Sequence, residues 1–249
     1  MNQERFDFLL NAIDDKPVSK SRLVDLIYQE KPGYSPSSCL WVIGSLVSEG
    51  KLFDLGFGYF IKSNGNKWTN GPTGKKGKEA IDLANSLFPR TSFCIYETTW
   101  INEMTNMAGG DELLIIELEK RDLFPFFMEW KKRYRSSVLL NPKQSELMTY
   151  LEPGSVVIKP LFSKSPVQQD RTIRIEKAII DLCSDKLLKY LYYGVNLSGI
   201  SARLIKEGYF NLSTVLNYAK RRNVFETVKT LLKDNLPQNI ASIIQEEDV

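Results

Sequence analysis

The chain has 249 residues, of which 43% are hydrophobic and 25% are charged, and its formal net charge is +3. This length suits two or three small domains, and the composition is typical of an ordinary globular protein. No apolar run approaches the roughly 18–20 residues that a membrane span needs, and the amino terminus lacks the basic-then-apolar order of a signal peptide. We therefore expect a cytoplasmic protein with no membrane partner.

Histidine and cysteine usage excludes several kinds of site. The chain has no histidine, and its three cysteines, Cys39, Cys94 and Cys183, lie far apart in sequence. Ser-His and Cys-His nucleophile pairs are therefore excluded, and the cysteine spacing favours neither a zinc site nor a disulfide framework. We expect no metal and no cofactor, so any catalysis would rest on carboxylates, lysines or backbone groups.

The first 30 residues predict two helices. Apolar residues share one helical face between residues 4 and 13, and the segment Asp14 to Val18 interrupts that pattern. Ser19 is a suitable N-cap for a second helix that extends to about Tyr28. The apolar positions of that helix, expected to face the core, are Leu23, Leu26 and Ile27.

The next segment predicts a third helix followed by a hairpin. In the helix, Cys39, Ile43 and Leu46 recur at spacings of four and three residues, which places them on a core face. The outer face then carries Ser37, Ser38, Trp41 and Ser45, although Trp41 is also compatible with a core position. Two short strands follow, residues 51–55 and 59–61, with a turn at Gly56-Phe57-Gly58.

This order of elements is that of a winged helix-turn-helix, which predicts DNA binding. Serine hydroxyls can donate to phosphates or base edges, and an indole can pack on a sugar or a thymine methyl. Many winged helices instead serve as protein-protein modules, and residues 1–61 carry eight acidic against six basic side chains. If the domain binds DNA, the residues expected on the DNA-binding face are those of the outer face of the third helix: Ser37, Ser38, Trp41 and Ser45.

Positive charge concentrates directly after the predicted hairpin. Residues 62–78 contain five lysines and no acidic residue. Phosphate contacts beside a wing would use such a block, and a solvated linker would also explain it. The phosphate-contacting lysines predicted here, together with one that precedes the hairpin, are Lys51, Lys62, Lys67, Lys75 and Lys76.

The rest of the chain predicts a mixed α/β region followed by helices. A helix is expected over residues 78–87, after which strands and helices alternate up to residue 161. From Arg171 the apolar spacing becomes helical, beginning with the stripe Ile175, Ala178, Ile179 and Leu182. The basic cluster Lys220, Arg221 and Arg222 lies near a predicted helix end, where it can stabilise the helix or make a second nucleic-acid or partner contact.

We therefore expect an α+β protein: an N-terminal winged helix-turn-helix followed by a mixed α/β domain with a helical C-terminal part. The predicted boundaries are 1–63 for the winged helix, 64–90 for a basic linker and connecting helix, 91–170 for the α/β domain and 171–249 for the helical subdomain.

Several short motifs resemble a known family. They are the predicted wing, Glu97-Thr-Thr-Trp-Ile-Asn-Glu103, Leu139-Leu-Asn-Pro142, the segment from Ile175 to Leu182, and Tyr218-Ala-Lys-Arg-Arg222. Together they resemble the AbiEi family of winged-helix antitoxins and transcriptional regulators from bacterial abortive-infection systems, over residues 6–232. The resemblance implies an antiviral antitoxin that represses its own promoter and counters a neighbouring nucleotidyltransferase toxin without necessarily forming a stable complex. Wings in that family often carry a basic residue between the tip glycines, where this chain has Phe57.

The leading hypothesis is a DNA-binding autorepressor and antitoxin with no enzymatic activity of its own. The second is a protein-interaction module that binds its toxin directly. The third is a metal-dependent nuclease, which would use Asp111, Glu117 and Glu119 with Lys120, although Lys120 is expected on the opposite strand face from Glu117 and Glu119.

Overall fold

A computed structural model describes residues 6–63, 68–107, 112–134, 137–209, 211–233, 236 and 241. The chain divides into two compact units. Unit 1 comprises residues 1–68, 197–217 and 225–249, and unit 2 comprises residues 69–196 and 218–224.

The described residues form twelve helices and two sheets. The helices are α1 (Asp7–Asn11), α2 (Lys20–Glu30), α3 (Pro36–Ser48), α4 (Lys75–Leu87), α5 (Thr98–Thr105), α6 (Leu123–Arg133), α7 (Gln144–Tyr150), α8 (Ile175–Ser184), α9 (Lys186–Leu191), α10 (Leu197–Lys206), α11 (Leu212–Arg221) and α12 (Phe225–Lys233). The strands are β1 (Val18–Ser19), β2 (Leu52–Gly56), β3 (Tyr59–Lys62), β4 (Phe93–Glu97), β5 (Leu114–Leu118), β6 (Val138–Leu140) and β7 (Val156–Pro160). The α+β class predicted from the sequence is confirmed.

Unit 1 begins with three helices and a three-stranded antiparallel sheet of order β1-β3-β2. Ser19 caps α2 as predicted, because its hydroxyl accepts the backbone N–H of Arg22 at 3.2 Å. The apolar stripes of α2 and α3 pack into one core with β2 and β3. The inward positions predicted on both helices are all buried, among them Leu23, Ile27 and Leu46.

The β2–β3 hairpin turns on residues with left-handed backbone. Gly56, Phe57 and Gly58 have φ values of +93°, +55° and +74°. A Cβ at Gly56 would lie 2.7 Å from the backbone nitrogen of Ser213, so glycine is required there by close approach as well as by φ. The side-chain amide of Asn211 also donates to the Asp54 carbonyl at 3.1 Å. One side of the hairpin therefore packs against the start of α11, within unit 1.

Unit 2 is built on a four-stranded mixed sheet of order β4-β5-β7-β6. Strand β4 is antiparallel to β5, whereas β5, β7 and β6 run parallel. Successive side chains on a strand point to opposite faces. One face supplies a hydrophobic core with α4 and α6, in which Phe93, Ile116, Phe126, Trp130 and Ile158 are buried. The mixed α/β layer expected after residue 90 is confirmed.

The two units do not follow the four consecutive segments predicted from the sequence. Residues 171–196 belong to unit 2, but residues 197–217 and 225–249 belong to unit 1 together with the N-terminal helices. The helical segment 171–249 therefore contributes to two cores, because its apolar stripes are buried in both units.

Several elements differ from the sequence expectations. Helix α1 is only five residues long, α4 begins at Lys75 rather than at Lys78, and α5 was not predicted. The first strand, β1, was also missed because it has only two residues. Within the described part of the chain, no helix combines the length and apolarity that crossing a membrane requires.

Candidate functional site

Helix α3 presents two complementary stripes. Residues 39, 42, 43 and 46 are buried, and residues 37, 40, 41, 44 and 48 are exposed. Each stripe follows the i, i+3, i+4, i+7 spacing of one helical face. The helix begins at a well-defined residue, because the Ser35 hydroxyl accepts the Ser38 backbone N–H at 3.1 Å and Pro36 occupies the first turn. The outward stripe is therefore held in a fixed orientation on the unit 1 core.

Trp41 belongs to the outward stripe and not to the core. Its side chain is 59% exposed, and its ring meets Phe6 edge-on at a centroid separation of 6.0 Å. Trp41 also lines a shallow groove of about 370 Å³ together with Tyr34, Ser37 and Ser38. The groove brings three of the four predicted base-contacting residues together.

The serine hydroxyls differ in how far they are already engaged. Ser38 shares a hydrogen bond of 2.9 Å with the Ser35 hydroxyl, and Ser45 donates to Glu49 at 3.1 Å. Ser37 is exposed beside Trp41 at the start of the helix. Ser37 is therefore better placed than Ser45 to contact a ligand in the groove.

Leu40 was missed in the sequence prediction. It is 48% exposed and adjoins Trp41 on the outward stripe. The sequence contained a signal for its exposure. Cys39, Ile43 and Leu46 already define the core face of α3, and Leu40, one residue after Cys39, points away from that face. The outward stripe consequently combines a hydroxyl with a substantial apolar surface.

The predicted phosphate-contacting lysines are distributed over both units. Lys51 lies 3.3 Å from Glu49 and 3.6 Å from Asp7, so two carboxylates share its charge. Lys62 ends β3 opposite Leu52, and Lys67 lies outside the described residues. Among the described residues of β2 and β3, no acidic side chain forms an ion pair with Lys62. Lys62 therefore differs from Lys51, whose charge is shared by two carboxylates.

The remaining two lysines of that set, Lys75 and Lys76, begin α4 in unit 2. The Lys76 ammonium donates to the Gly154 carbonyl at 2.9 Å. Both lysines line a cavity of about 240 Å³ together with Glu97 and Glu112. Burial, with a further contribution from Glu112, raises the pKa of the Glu97 carboxyl against the opposing hydrogen bond from Gly74. This cavity carries both signs of charge, which makes it a poor site for a polyanion.

In the predicted basic cluster Lys220, Arg221 and Arg222, the last residue makes its contacts within unit 2. Lys220 and Arg221 are exposed near the end of α11. Arg222 instead contacts Asp181 at 2.9 Å, and its guanidinium lies 4.0 Å from the centre of the Phe162 ring. A second nucleic-acid or partner contact would therefore rest on Lys220 and Arg221.

Unit 2 also contains a buried ionic cluster that the sequence prediction missed. It comprises three acidic and three basic side chains: Glu117, Lys159, Lys177, Asp181, Asp185 and Arg222. The Lys177 ammonium lies 2.9 Å from Glu117 and also pairs with Asp181, and the Lys159 ammonium lies 2.7 Å from Asp185 and 3.3 Å from Glu117. The two members that belong to strands, Glu117 and Lys159, alternate with core residues Ile116 and Ile158 and so lie on the opposite face of the sheet.

Mutual pairing controls ionisation in this cluster. Burial alone would raise the pKa of Glu117 and lower that of Lys177, but their neighbours reverse both effects. Lys177 and Lys159 hold the pKa of Glu117 below its usual value, while Asp181 and Glu117 hold the pKa of Lys177 well above its usual value. The Tyr96 hydroxyl accepts a hydrogen bond from Lys159 at 2.8 Å, and the Tyr218 hydroxyl donates to Asp181 at 3.2 Å. The six charged groups therefore pair with one another, and four of them, Glu117, Lys159, Lys177 and Asp181, are buried.

A signal for the cluster was present in the sequence. Glu117 and Lys159 each interrupt an otherwise apolar strand, and Lys177 and Asp181 occupy one face of a helix at a spacing of four residues. A lone charge in a fully buried element needs a partner of opposite sign. The identity of each partner depends on tertiary structure.

The residues of the nuclease hypothesis are engaged in other contacts. Both carboxylate oxygens of Glu117 contact lysine ammoniums, and Glu119 pairs with Arg121 at 3.0 Å just beyond the end of β5. Asp111 lies outside the described residues, and Lys120 is exposed. In the parts of the chain that the structure describes, no group of three cysteine, aspartate or glutamate side chains is arranged to hold a metal ion.

Comparison with protein-family models identifies one match, to a model described as a family of unknown function, DUF6577, over residues 38–238. Because that match covers most of the chain, the protein belongs to this family. The matched region extends from the first turn of α3 to beyond α12 and so includes residues of both units. A search of curated proteins finds no significant match.

Proposed function

We propose that residues 6–62 form a winged helix-turn-helix that binds double-stranded DNA, with α3 in the major groove and the β2–β3 hairpin as the wing. The supporting observation is the outward stripe of α3, which exposes Ser37, Leu40 and Trp41 on a helix whose opposite stripe is anchored in the core. The order of elements also supports the proposal, because three helices precede the antiparallel β2–β3 hairpin. In this arrangement Lys62, the last residue of β3, contacts a phosphate.

The first test is a gel-shift titration of the purified full-length protein on its own upstream DNA and on a scrambled duplex, at two salt concentrations. We expect tighter binding to the upstream DNA at both salt concentrations. Trp41→Ala should weaken that binding roughly tenfold, since a large apolar side chain would lose its burial against the DNA.

The matched control is Tyr193→Ala, which removes another highly exposed aromatic ring, in unit 2. This variant should bind like the parent protein, and both variants should retain the parent melting temperature. Equal affinity of the parent protein for the two duplexes would contradict sequence-specific DNA binding.

We further propose, from the resemblance to the AbiEi family, that the protein acts in the cytoplasm as an autorepressor and as the antitoxin of a neighbouring nucleotidyltransferase toxin. Repression follows if the protein occupies its own promoter. Antitoxin action is tested separately, by co-expressing the full chain with that toxin and measuring growth. Restored growth supports the antitoxin role, and continued growth arrest with normal amounts of folded protein contradicts it.

A specific observation favours a second candidate, a protein-interaction module. Leu40 and Trp41 are 48% and 59% exposed side by side, and α3 carries no charged residue that would attract a nucleic acid. An apolar interface persists at high salt, where phosphate contacts weaken. Co-purification of the toxin at high salt, lost in Trp41→Ala and retained in Tyr193→Ala, would favour this candidate over DNA binding.

A further inference from the structure

The chemistry of the α3 surface restricts the bases that it can recognise. The helix, Pro36–Ser48, contains no arginine, lysine, asparagine, glutamine, aspartate or glutamate. Guanine is usually read in the major groove by arginine or lysine, adenine by asparagine or glutamine, and cytosine by an acidic side chain. Helix α3 therefore lacks the side chains that usually read guanine, adenine and cytosine, and its polar groups are serine hydroxyls, which discriminate little between bases.

The outward stripe instead offers apolar surface. Leu40 and Trp41 lie next to each other, and Gly44 follows one turn later on the same stripe. A Cβ placed at Gly44 would meet nothing within 4 Å, so the surface beyond Trp41 is low and open. A flat edge of a base pair can approach such a surface closely.

Only one base carries an apolar group in the major groove, and that group is the C5 methyl of thymine. We infer that α3 selects DNA by contact of Leu40 and Trp41 with thymine methyl groups. The inference rests on the proposed DNA-binding function and names the feature of the DNA that this site recognises. Ser37 lies beside Trp41 in the same groove and supplies a hydroxyl that can bond to a neighbouring base edge or phosphate.

The experiment begins with selection from a pool of randomised duplexes on the full-length protein. Each thymine of the enriched duplex is then replaced singly by deoxyuridine, which lacks only the C5 methyl. We expect one or two positions at which the replacement weakens binding about fourfold, the effect of losing one buried methyl-sized group. Replacement at the other thymines should leave the affinity unchanged.

The protein variants assign the effect to α3. In Leu40→Ala and Trp41→Ala the sensitive thymine and deoxyuridine duplexes should bind with more nearly equal affinity, because the methyl contact is already lost. Tyr193→Ala should keep the full fourfold difference. Melting temperatures of all three variants are measured alongside, so that a folding defect is recognised.

The outcomes separate this inference from the proposed function. Enrichment of a sequence whose binding is insensitive to every deoxyuridine replacement would overturn the inference and leave DNA binding intact. A sensitivity that persists unchanged in both α3 variants would also overturn it, because another part of the protein would then read the methyl. Absence of any enriched sequence would contradict the proposed function itself.

Discussion

The two units place their charged side chains in opposite ways. Unit 1 packs one face of α3 against an apolar core, and the exposed outward stripe of that helix carries no charge. Unit 2 pairs six charged side chains with one another beside its sheet, and four of them are buried. A buried pair must offset a large desolvation cost by close geometry, whereas an uncharged surface helix forgoes long-range attraction to phosphates. Unit 2 therefore uses charged side chains in internal pairs, whereas α3 of unit 1 exposes an uncharged surface.

The largest effect should come from removing one charge from the ionic cluster. Lys177→Met leaves Glu117 and Asp181 without their shared ammonium in a site with no exposure to water. We expect unit 2 to lose about 3–5 kcal/mol of unfolding free energy. Urea unfolding, followed by the fluorescence of Trp100 and Trp130 in a background where Trp41 and Trp68 are phenylalanine, measures this loss.

The control for that variant is Lys186→Met, which removes an exposed lysine at the start of α9. Its effect should stay within about 0.5 kcal/mol, as is usual for surface substitutions. A loss below about 1 kcal/mol in Lys177→Met would show that the cluster contributes little to the stability of unit 2.

The pH dependence of stability should distinguish the units next. Lys177 and Lys159 have raised pKa values despite burial, because their acidic partners outweigh it. Their stabilisation is fully present below the ordinary lysine pKa of about 10.4 and is lost as the pH rises through the raised values. The urea midpoint of unit 2 should therefore fall as the pH rises above about 10.4.

The acid side has the opposite sign. Glu117 and Asp185 have lowered pKa values, since lysine partners outweigh the effect of burial. Their stabilisation is present above the ordinary carboxyl pKa of about 4 and is lost as the pH falls through the lowered values. Burial raises the pKa of Asp181, which works against this loss. Urea midpoints of the two units that changed in parallel at both extremes would contradict the role assigned to the cluster.

A smaller change should expose the apolar character of the unit 1 core. Ile27→Val removes one methylene from a fully buried side chain in that core. We expect a loss of roughly 0.5–1.5 kcal/mol that is the same at pH 7 and pH 10.5, because the change is one of packing. The exposed Leu40→Ala is the control and should change the stability by less than about 0.5 kcal/mol. Unfolding is followed by Trp41 and Trp68 in a background where Trp100 and Trp130 are phenylalanine.

The smallest effect concerns the phosphate contacts that we propose for unit 1. Lys62→Ala should reduce the slope of log Kobs against log salt concentration by about one, if Lys62 contacts a phosphate. Lys51→Ala should reduce it less, since Asp7 and Glu49 already share the charge of Lys51. Equal reductions for the two variants would show that the carboxylates release Lys51 when DNA binds.

Local patterns predicted α2, α3 and the β2–β3 hairpin of unit 1. The helical spacing of Cys39, Ile43 and Leu46 placed the core face of α3 correctly, and the glycines at 56 and 58 marked the hairpin turn. Trp41 was compatible with either face on spacing alone, because an indole is common both in cores and on binding surfaces. Trp41 is exposed because other apolar side chains, from the helices and strands of unit 1, fill the core.

The sequence by itself determined the order of most helices and strands, the face that α3 buries and the absence of histidine chemistry. Tertiary structure alone decided that the last 79 residues contribute to two units, and that Glu117, Lys159, Lys177, Asp181, Asp185 and Arg222 meet in one cluster. The physical reason is the distance along the chain over which each interaction acts. Periodicity and capping act between residues within one turn or one strand, whereas a buried charge is stabilised by partners that the chain brings from distant segments.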